Sequence, residues 1–492
     1  MKSRFATLAI VIAVVLAFAP AVFAAEQMSQ FSDSGITVYY PPNYETQGKR
    51  ILELLKPVIV PAIDVHQRTV SLLQDTDTLS KQIADALGAE EKADEAKTRL
   101  DAYKTKSQAL IAAFTRIKLV PKADAVAAKL YKTGVLAFKY DENTDEFAFG
   151  LDLYNVDAAK LEQSYFPVFV NADGSIRSES RLPEMVANIL GSNPGMIVAP
   201  IHDTVGYILA QELRLYYPFA RWFNEGVSAW VTRHVVLKTD ATLRDILNEL
   251  FAVNKRSKTL KPKINLIAWP QAAYQNRNKE GFQPELEAAM SQYSLELIDS
   301  YFGKTAAKEL PKVVAELRYN ANADTQTICD TAKKLTGRDL KSKLLDYVPT
   351  EVRTGIESNT AKKLLAQAET AAQQKKWQDA ANKIAKALQM TPEDFNARLN
   401  LAWLCRELKD NTEAEYQVFI AARLLKNDKY SVHLYASSLE GNYVIARLAI
   451  LLGNLDTAKE LLKPILEAMP SHADAKRAME EVKAMETAAK GK

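Results

Sequence analysis

The stretch Pro200-Ile-His-Asp-Thr-Val-Gly-Tyr207 decides how this chain is read, together with Trp222-Phe-Asn-Glu-Gly-Val-Ser-Ala-Trp230 a short way beyond it. Pro200 suits the first turn of a helix, because it has no N–H to leave unpaired there. On that helix His202 and Gly206, four places on, lie on one face. A pair of imidazoles at this spacing can chelate one metal ion while the neighbouring carboxylate activates a bound water. Here His202 supplies the first imidazole and Asp203 the carboxylate, but Gly206 has no side chain at all. The second segment adds Glu225, with eighteen residues between it and Gly206. Taken singly, His202 could be an ordinary helix histidine, and Glu225 a local cap or ion-pair partner.

Taken together, His202-Asp-Thr-Val-Gly206 and Trp222-Phe-Asn-Glu-Gly226 resemble the gluzincin metallopeptidases, thermolysin-like and aminopeptidase-N-like, and above all the bacterial peptidase-MA-like proteins. The likeness extends to Ile36–Tyr40 with the helix after it, to Ser291–Gly303 and to Leu335–Leu344, so it spans roughly residues 31–350. It is specific only around residues 202–230. The resemblance implies a mainly helical α+β fold, a zincin-like domain with a small sheet. It also implies zinc, with His202 as the first ligand, Glu225 as the third and Asp203 as general base, one methylene shorter than glutamate. Gly206 falls on the second histidine ligand. Ala229 stands where the family commonly carries a ligand-orienting carboxylate, and such groups are worth roughly ten- to a hundredfold in affinity or activity. Tyr293 is a candidate oxyanion-stabilising residue by analogy, set against a plain core-aromatic role. Hydrolytic zinc sites usually need three protein ligands, so the expectation is that zinc binding and catalysis are lost. His234, nine residues past Glu225, should point away from the Glu225 face if that helix is continuous. His66, His433 and His472 fall in other predicted elements.

The rest of the 492-residue chain is too long for one core. Lys2 and Arg4, the apolar run from Ala6 to about Phe18, and Val22-Phe-Ala24 read as a cleavable export signal over residues 1–24, which places the mature protein in the periplasm or outside the cell. No later apolar run is long enough to span a bilayer. Basic and acidic residues number 63 and 60, a balance that gives no support for nucleic-acid binding. Cys329 and Cys405 lie in different predicted domains and read as separate buried thiols.

A zincin-like domain is expected over residues 25–355. Ile36–Tyr40 reads as a strand, followed by a helix from about Gly48 to Ile63. A helical hairpin inserted at about 64–118 carries apolar positions from Leu72 to Leu87 and from Leu100 to Ile117. Residues 135–140 and 147–153 read as a β-hairpin, and Tyr165–Val170 as an edge strand because Pro167 cannot donate to a central ladder. Asn171–Ile176 faintly resembles a calcium-loop core, but Phe169 and Ser180 fall where carboxylate ligands are needed, and an Asp-Gly turn is expected.

Over residues 356–492 small residues recur in register. Ala368, Ala380 and Ala387 are followed 34 residues later by Ala402, Ala414 and Ala421, and after an insertion of ten residues by Ala446 and Ala458. Pro392 and Pro470 close the first and third units, with Lys426 at that place in the second. A 34-residue helix–turn–helix period resembles the tetratricopeptide repeat, whose stacked helices form a groove for a protein or peptide partner. The alternative is an alanine-rich bundle with chance periodicity. Three functions remain open: an inactive peptidase-like protein acting as a binding scaffold, an active zinc peptidase using His202 and Glu225 with a non-standard third ligand, and a structural component of the cell envelope.

Overall fold

Ile36-Thr-Val-Tyr-Tyr40 alternates buried and half-buried side chains, the period-two pattern of a strand with one face against a core. In the computed structural model it forms β2 (Ile36–Tyr40), paired antiparallel with β1 (Ser29–Asp33), a strand absent from the expectation above. The loop between them is two residues long. Ser34 and Gly35 both have positive φ, 52° and 78°, the hairpin geometry that matches the twist of the paired strands. The structure describes residues 28–121, 137–141, 146–150, 165–176, 179–191, 193–213, 220–251, 260–269, 284–318, 323–425 and 431–490. The expected signal over 1–24 lies outside these, as do residues 135–136, 142–145 and 151–153 of the expected hairpin, and Lys426.

Helix α1 (Glu45–Leu72) follows β2 and runs through Pro57 and Pro61, well past its expected end at Ile63. Proline normally breaks a helix interior. Here both prolines are exposed, while Ile51, Leu55, Ile59, Ala62, Val65, His66 and Thr69 carry one buried stripe past them. Packing therefore overrides the break. Two helices then occupy most of the expected insertion, α2 (Thr76–Ala86) and α3 (Ala93–Phe114). Its expected boundaries need correcting at both ends, since residues 64–72 belong to α1 and Ile117 belongs to strand β3 (Arg116–Pro121). In β3 Ile117 and Leu119 are buried alternately, a period of two that continues smoothly from the helical spacing and hides the change.

Strand β3 is parallel to β2, and β6 (Phe166–Val170) is parallel to β3, so the sheet order is β1-β2-β3-β6. Pro167 thus sits on an edge strand, where its missing N–H is tolerated. The two strands β4 (Ala137–Asp141) and β5 (Glu146–Gly150) form the antiparallel pair expected there. Asn171–Ile176 is a turn, with Gly174 at φ 81° and the Asp173 carboxylate accepting from the Ser175 N–H and hydroxyl. Phe114 stacks on Phe166 in a core shared with Ile36, Leu55 and Val186, the last from α4 (Leu182–Leu190).

Two compact units divide the chain, one holding residues up to Thr76 with Lys97–Pro200, the other Asp77–Ala96 with Ile201–Lys492. The sheet belongs to the first. In the second, α5 (Ala199–Glu212), α6 (Arg221–Val231), α7 (Ala241–Phe251) and α8 (Pro284–Phe302) are followed by α9 (Ala306–Leu317), α10 (Thr325–Thr336), α11 (Leu340–Leu345) and α12 (Thr350–Glu357). Three helix pairs come next: α13 (Thr360–Gln373) with α14 (Trp377–Leu388), α15 (Phe395–Glu407) with α16 (Asn411–Leu424), and α17 (Leu439–Leu451) with α18 (Leu455–Ala468). A last helix, α19 (Ala473–Lys490), packs on α18. All eight register alanines are buried, and Trp403 meets Trp377 edge to face at 5.4 Å. Asp394, Asp410 and Ser438 cap α15, α16 and α17 through their side chains.

Ion pairs also join these helices. Arg406, only 4% exposed, donates to Glu440 34 residues on and to Asp474 68 residues on, both at 2.7 Å. Arg447 pairs with Glu415 at 3.1 Å and with Glu481. Cys329 and Cys405 are separate buried thiols, and burial pushes each up to about 12. Among the described residues, no helix is long and apolar enough to cross a membrane.

Candidate functional site

Helix α5 buries Ile201, Val205 and Ile208, a stripe at spacings of four and three residues. His202 and Gly206 border that stripe. Helix α6 buries Trp222, Phe223, Val227, Trp230 and Val231, with the Trp222 and Phe223 rings edge to face at 5.5 Å. The Trp222 indole N–H reaches the Thr325 hydroxyl at 3.3 Å. These anchors leave Glu225 on the side of α6 that meets His202. Gly226 permits a close approach on another side, where an added Cβ would lie 2.6 Å from the Ser294 carbonyl oxygen and 2.8 Å from Ile298 Cγ1 of α8.

The two segments do bring His202 and Glu225 together. His202 Nε2 lies 3.6 Å from Glu225 Oε2, and His202 Nδ1 lies 3.5 Å from Asp203 Oδ1. Burial works against a charged imidazole here, but the Asp203 hydrogen bond and the charges of Glu225 and Asp203 outweigh it, and the His202 pKa stands above the usual histidine value.

Gly206 is not an open gap. An ideal Cβ there would meet Asn224 Oδ1 at 3.0 Å and Ser228 Oγ at 3.1 Å. The Asn224 amide donates to the Gly206 carbonyl at 2.8 Å, which ties α5 directly to α6. Ser228 in turn donates to the Asn224 carbonyl at 2.7 Å. A histidine at 206 would have to displace this pair.

On the far side of Glu225 sits a cation that sequence reasoning missed. Arg221, with a side chain 9% exposed, places Nε 3.5 Å from Glu225 Oε1 and a terminal nitrogen 3.0 Å from Glu287 Oε2. Its guanidinium lies over the Trp269 ring, 4.3 Å from the centroid, and the Trp269 indole N–H donates to Glu287 Oε2 at 2.9 Å. Burial pushes the Glu287 carboxyl up, Arg221 and Trp269 oppose that, and the Glu225 charge adds to it. One signal for Arg221 was available: it stands four residues before Glu225, the spacing of a helical ion pair.

All five histidines are described, and the other four are engaged elsewhere. His66 bonds to Ser107 and to the Leu190 carbonyl within its own unit. His234 lies in a π-helical turn, Thr232–Val236, with Nε2 3.0 Å from Asp299 Oδ1. His433 stands 3.6 Å from Glu369, and His472 accepts from the Ala475 N–H. Ala229 is buried, and Tyr293 is a buried ring 5.7 Å from Tyr347. Among the described residues, no three His, Cys, Asp or Glu side chains are grouped to hold a metal ion. The donor set therefore does not fit a hydrolytic zinc centre, because two side chains converge, position 206 offers none, and the space beside it is filled. No family model, curated protein or solved structure matches the chain.

Proposed function

We propose that this is an exported, gluzincin-like protein that has ceased to be a peptidase and works by holding a protein or peptide partner on its carboxy-terminal helical repeats. The observation that carries the reading is at Gly206, where Asn224 and Ser228 take up the room that a second imidazole would need. A catalytic zinc is usually held by three protein ligands, whereas here the place of the second is taken by Asn224, whose amide donates to the Gly206 carbonyl across α5 and α6. Support for partner binding comes from a groove of about 400 Å³ among α15, α16, α17 and α19. Arg406, Glu415, Tyr443, Arg447, Asp474 and Glu481 line it. The charges there are already joined in the Arg406–Asp474, Arg447–Glu415 and Arg447–Glu481 pairs, so the lining offers the polar edges of neutralised pairs, which suits a polar peptide more than a single-charge polymer.

The test has two arms on the full chain. Incubation with a mixed peptide library, followed by mass spectrometry, should show no cleavage. Selection from a displayed random-peptide library should enrich a peptide class that is lost with Arg447→Glu and kept with Glu225→Ala. Cleavage that disappears with His202→Ala would overturn the reading.

One observation favours a second reading, that of an active zinc peptidase with a non-standard third ligand. His202 and Glu225 do converge, at 3.6 Å. Under that reading Asp203 acts as general base, and the same His202→Ala comparison separates the two.

A further inference from the structure

Resting on the reading of His202 and Glu225 as remnants of a metal site, we propose that Arg221 is the permanent cation of that site: it supplies the positive charge Glu225 and Glu287 need and keeps divalent metals out. The geometry assigns this role directly. The guanidinium touches both carboxylates, at 3.5 and 3.0 Å, from a side chain nine-tenths buried. It is clamped from three places, the first turn of α6, Glu287 on α8 and the face of Trp269. A guanidinium is not deprotonated in proteins, so this charge is present at every working pH. A divalent ion bound to Glu225 would share that carboxylate with a fixed cation that cannot leave, and would lose much of the attraction that draws it in.

The second task of a metal, joining the two helices that ligate it, falls to Asn224. Its amide bridges α6 to the Gly206 carbonyl of α5 at 2.8 Å. Charge and cross-link are thus both supplied from within α6. Arg221 acts through Glu225 and Glu287, so it is a positioning residue.

The experiment titrates cobalt(II) into the full chain and follows its visible absorption, with zinc binding measured by calorimetry. The parent protein should show no saturable binding of either ion. Arg221→Met should bind cobalt saturably, roughly tenfold or more below the concentration at which the parent still shows no binding, in line with other groups that act on a metal through its ligands. Adding His202→Ala should cancel the gain. Arg221→Lys, which keeps the charge but not the planar fork, should exclude metal as the parent does, a rescue that a merely structural arginine would not show. Where Arg221→Met does not fold, Arg221→Gln carries the same expectation. Stoichiometric zinc in the parent, or neutral variants that bind cobalt no better than the parent, would overturn the role of Arg221. In the second case, with the parent still cleaving no peptide, the non-peptidase reading stands; zinc accompanied by peptide cleavage overturns both.

Discussion

Replacing Gly226 by alanine should loosen the helix pair that carries Glu225. An added methyl carbon would lie 2.6 Å from the Ser294 carbonyl oxygen and 2.8 Å from Ile298 Cγ1. Ordinary carbon–oxygen contacts are about 3.3 Å or longer, so α6 and α8 must part by roughly two-thirds of an ångström. The nearest obstacle is backbone of a neighbouring helix and cannot rotate aside. Overpacking of this kind costs about 1–3 kcal/mol, and the obstructing backbone puts Gly226 at the upper end. Against it stands a gain of about 1 kcal/mol for alanine over glycine inside a helix. The net loss is about 2 kcal/mol. Gly206→Ala is the control, since its obstacles are two side-chain ends at 3.0 and 3.1 Å that need give only slightly. There the same helix gain offsets most of the cost, and stability should stay within about 1 kcal/mol of the parent. Urea unfolding of both variants, with unchanged slopes, measures the difference. If Gly226→Ala matches or exceeds the parent, glycine does not set the α6–α8 distance.

Three further outcomes follow from the structure. Arg406→Met strips a buried partner from Glu440 and Asp474 and should cost about 3 kcal/mol in chemical denaturation, with part regained when Glu440→Gln is added. Burial holds the His66 pKa below the ordinary histidine value, so the unfolded chain takes up its proton first as pH falls below about 6.5. Stability of the first unit should therefore drop from pH 7.5 to 5.5, and His66→Asn should flatten that part of the urea-midpoint profile. With both cysteine thiols pushed up to about 12, Ellman's reagent should label neither in the native protein and both in denaturant.

Much of the fold could be read from residue order because local spacing and long-range packing agree. The repeat alanines and the strand at Ile36 are cases where a short period reports the buried face. Strand β1 escaped notice since Ser29-Gln-Phe-Ser-Asp33 is mostly exposed and polar, and only the Ser34-Gly35 turn marks it. The end of α1 was misplaced because two prolines argue for a break that its buried stripe overrides. At the site, the approach of His202 to Glu225 was legible only through the resemblance to gluzincins, since nothing local links residues so far apart in the chain. The cluster around Arg221 was not, because Trp269 and Glu287 lie 48 and 66 residues away and no local pattern links them. Nor could the emptiness of position 206 reveal that Asn224 fills it.

The paired charges of the repeats have a mechanical consequence. Stacked arrays ordinarily fray from their ends, each unit answering only to its neighbour. Arg406 skips one helix pair to grip Asp474, so peeling away α19 would strip a counter-charge from an interior guanidinium two layers back. The last helices are thus guyed like a mast, and they should let go as a single block.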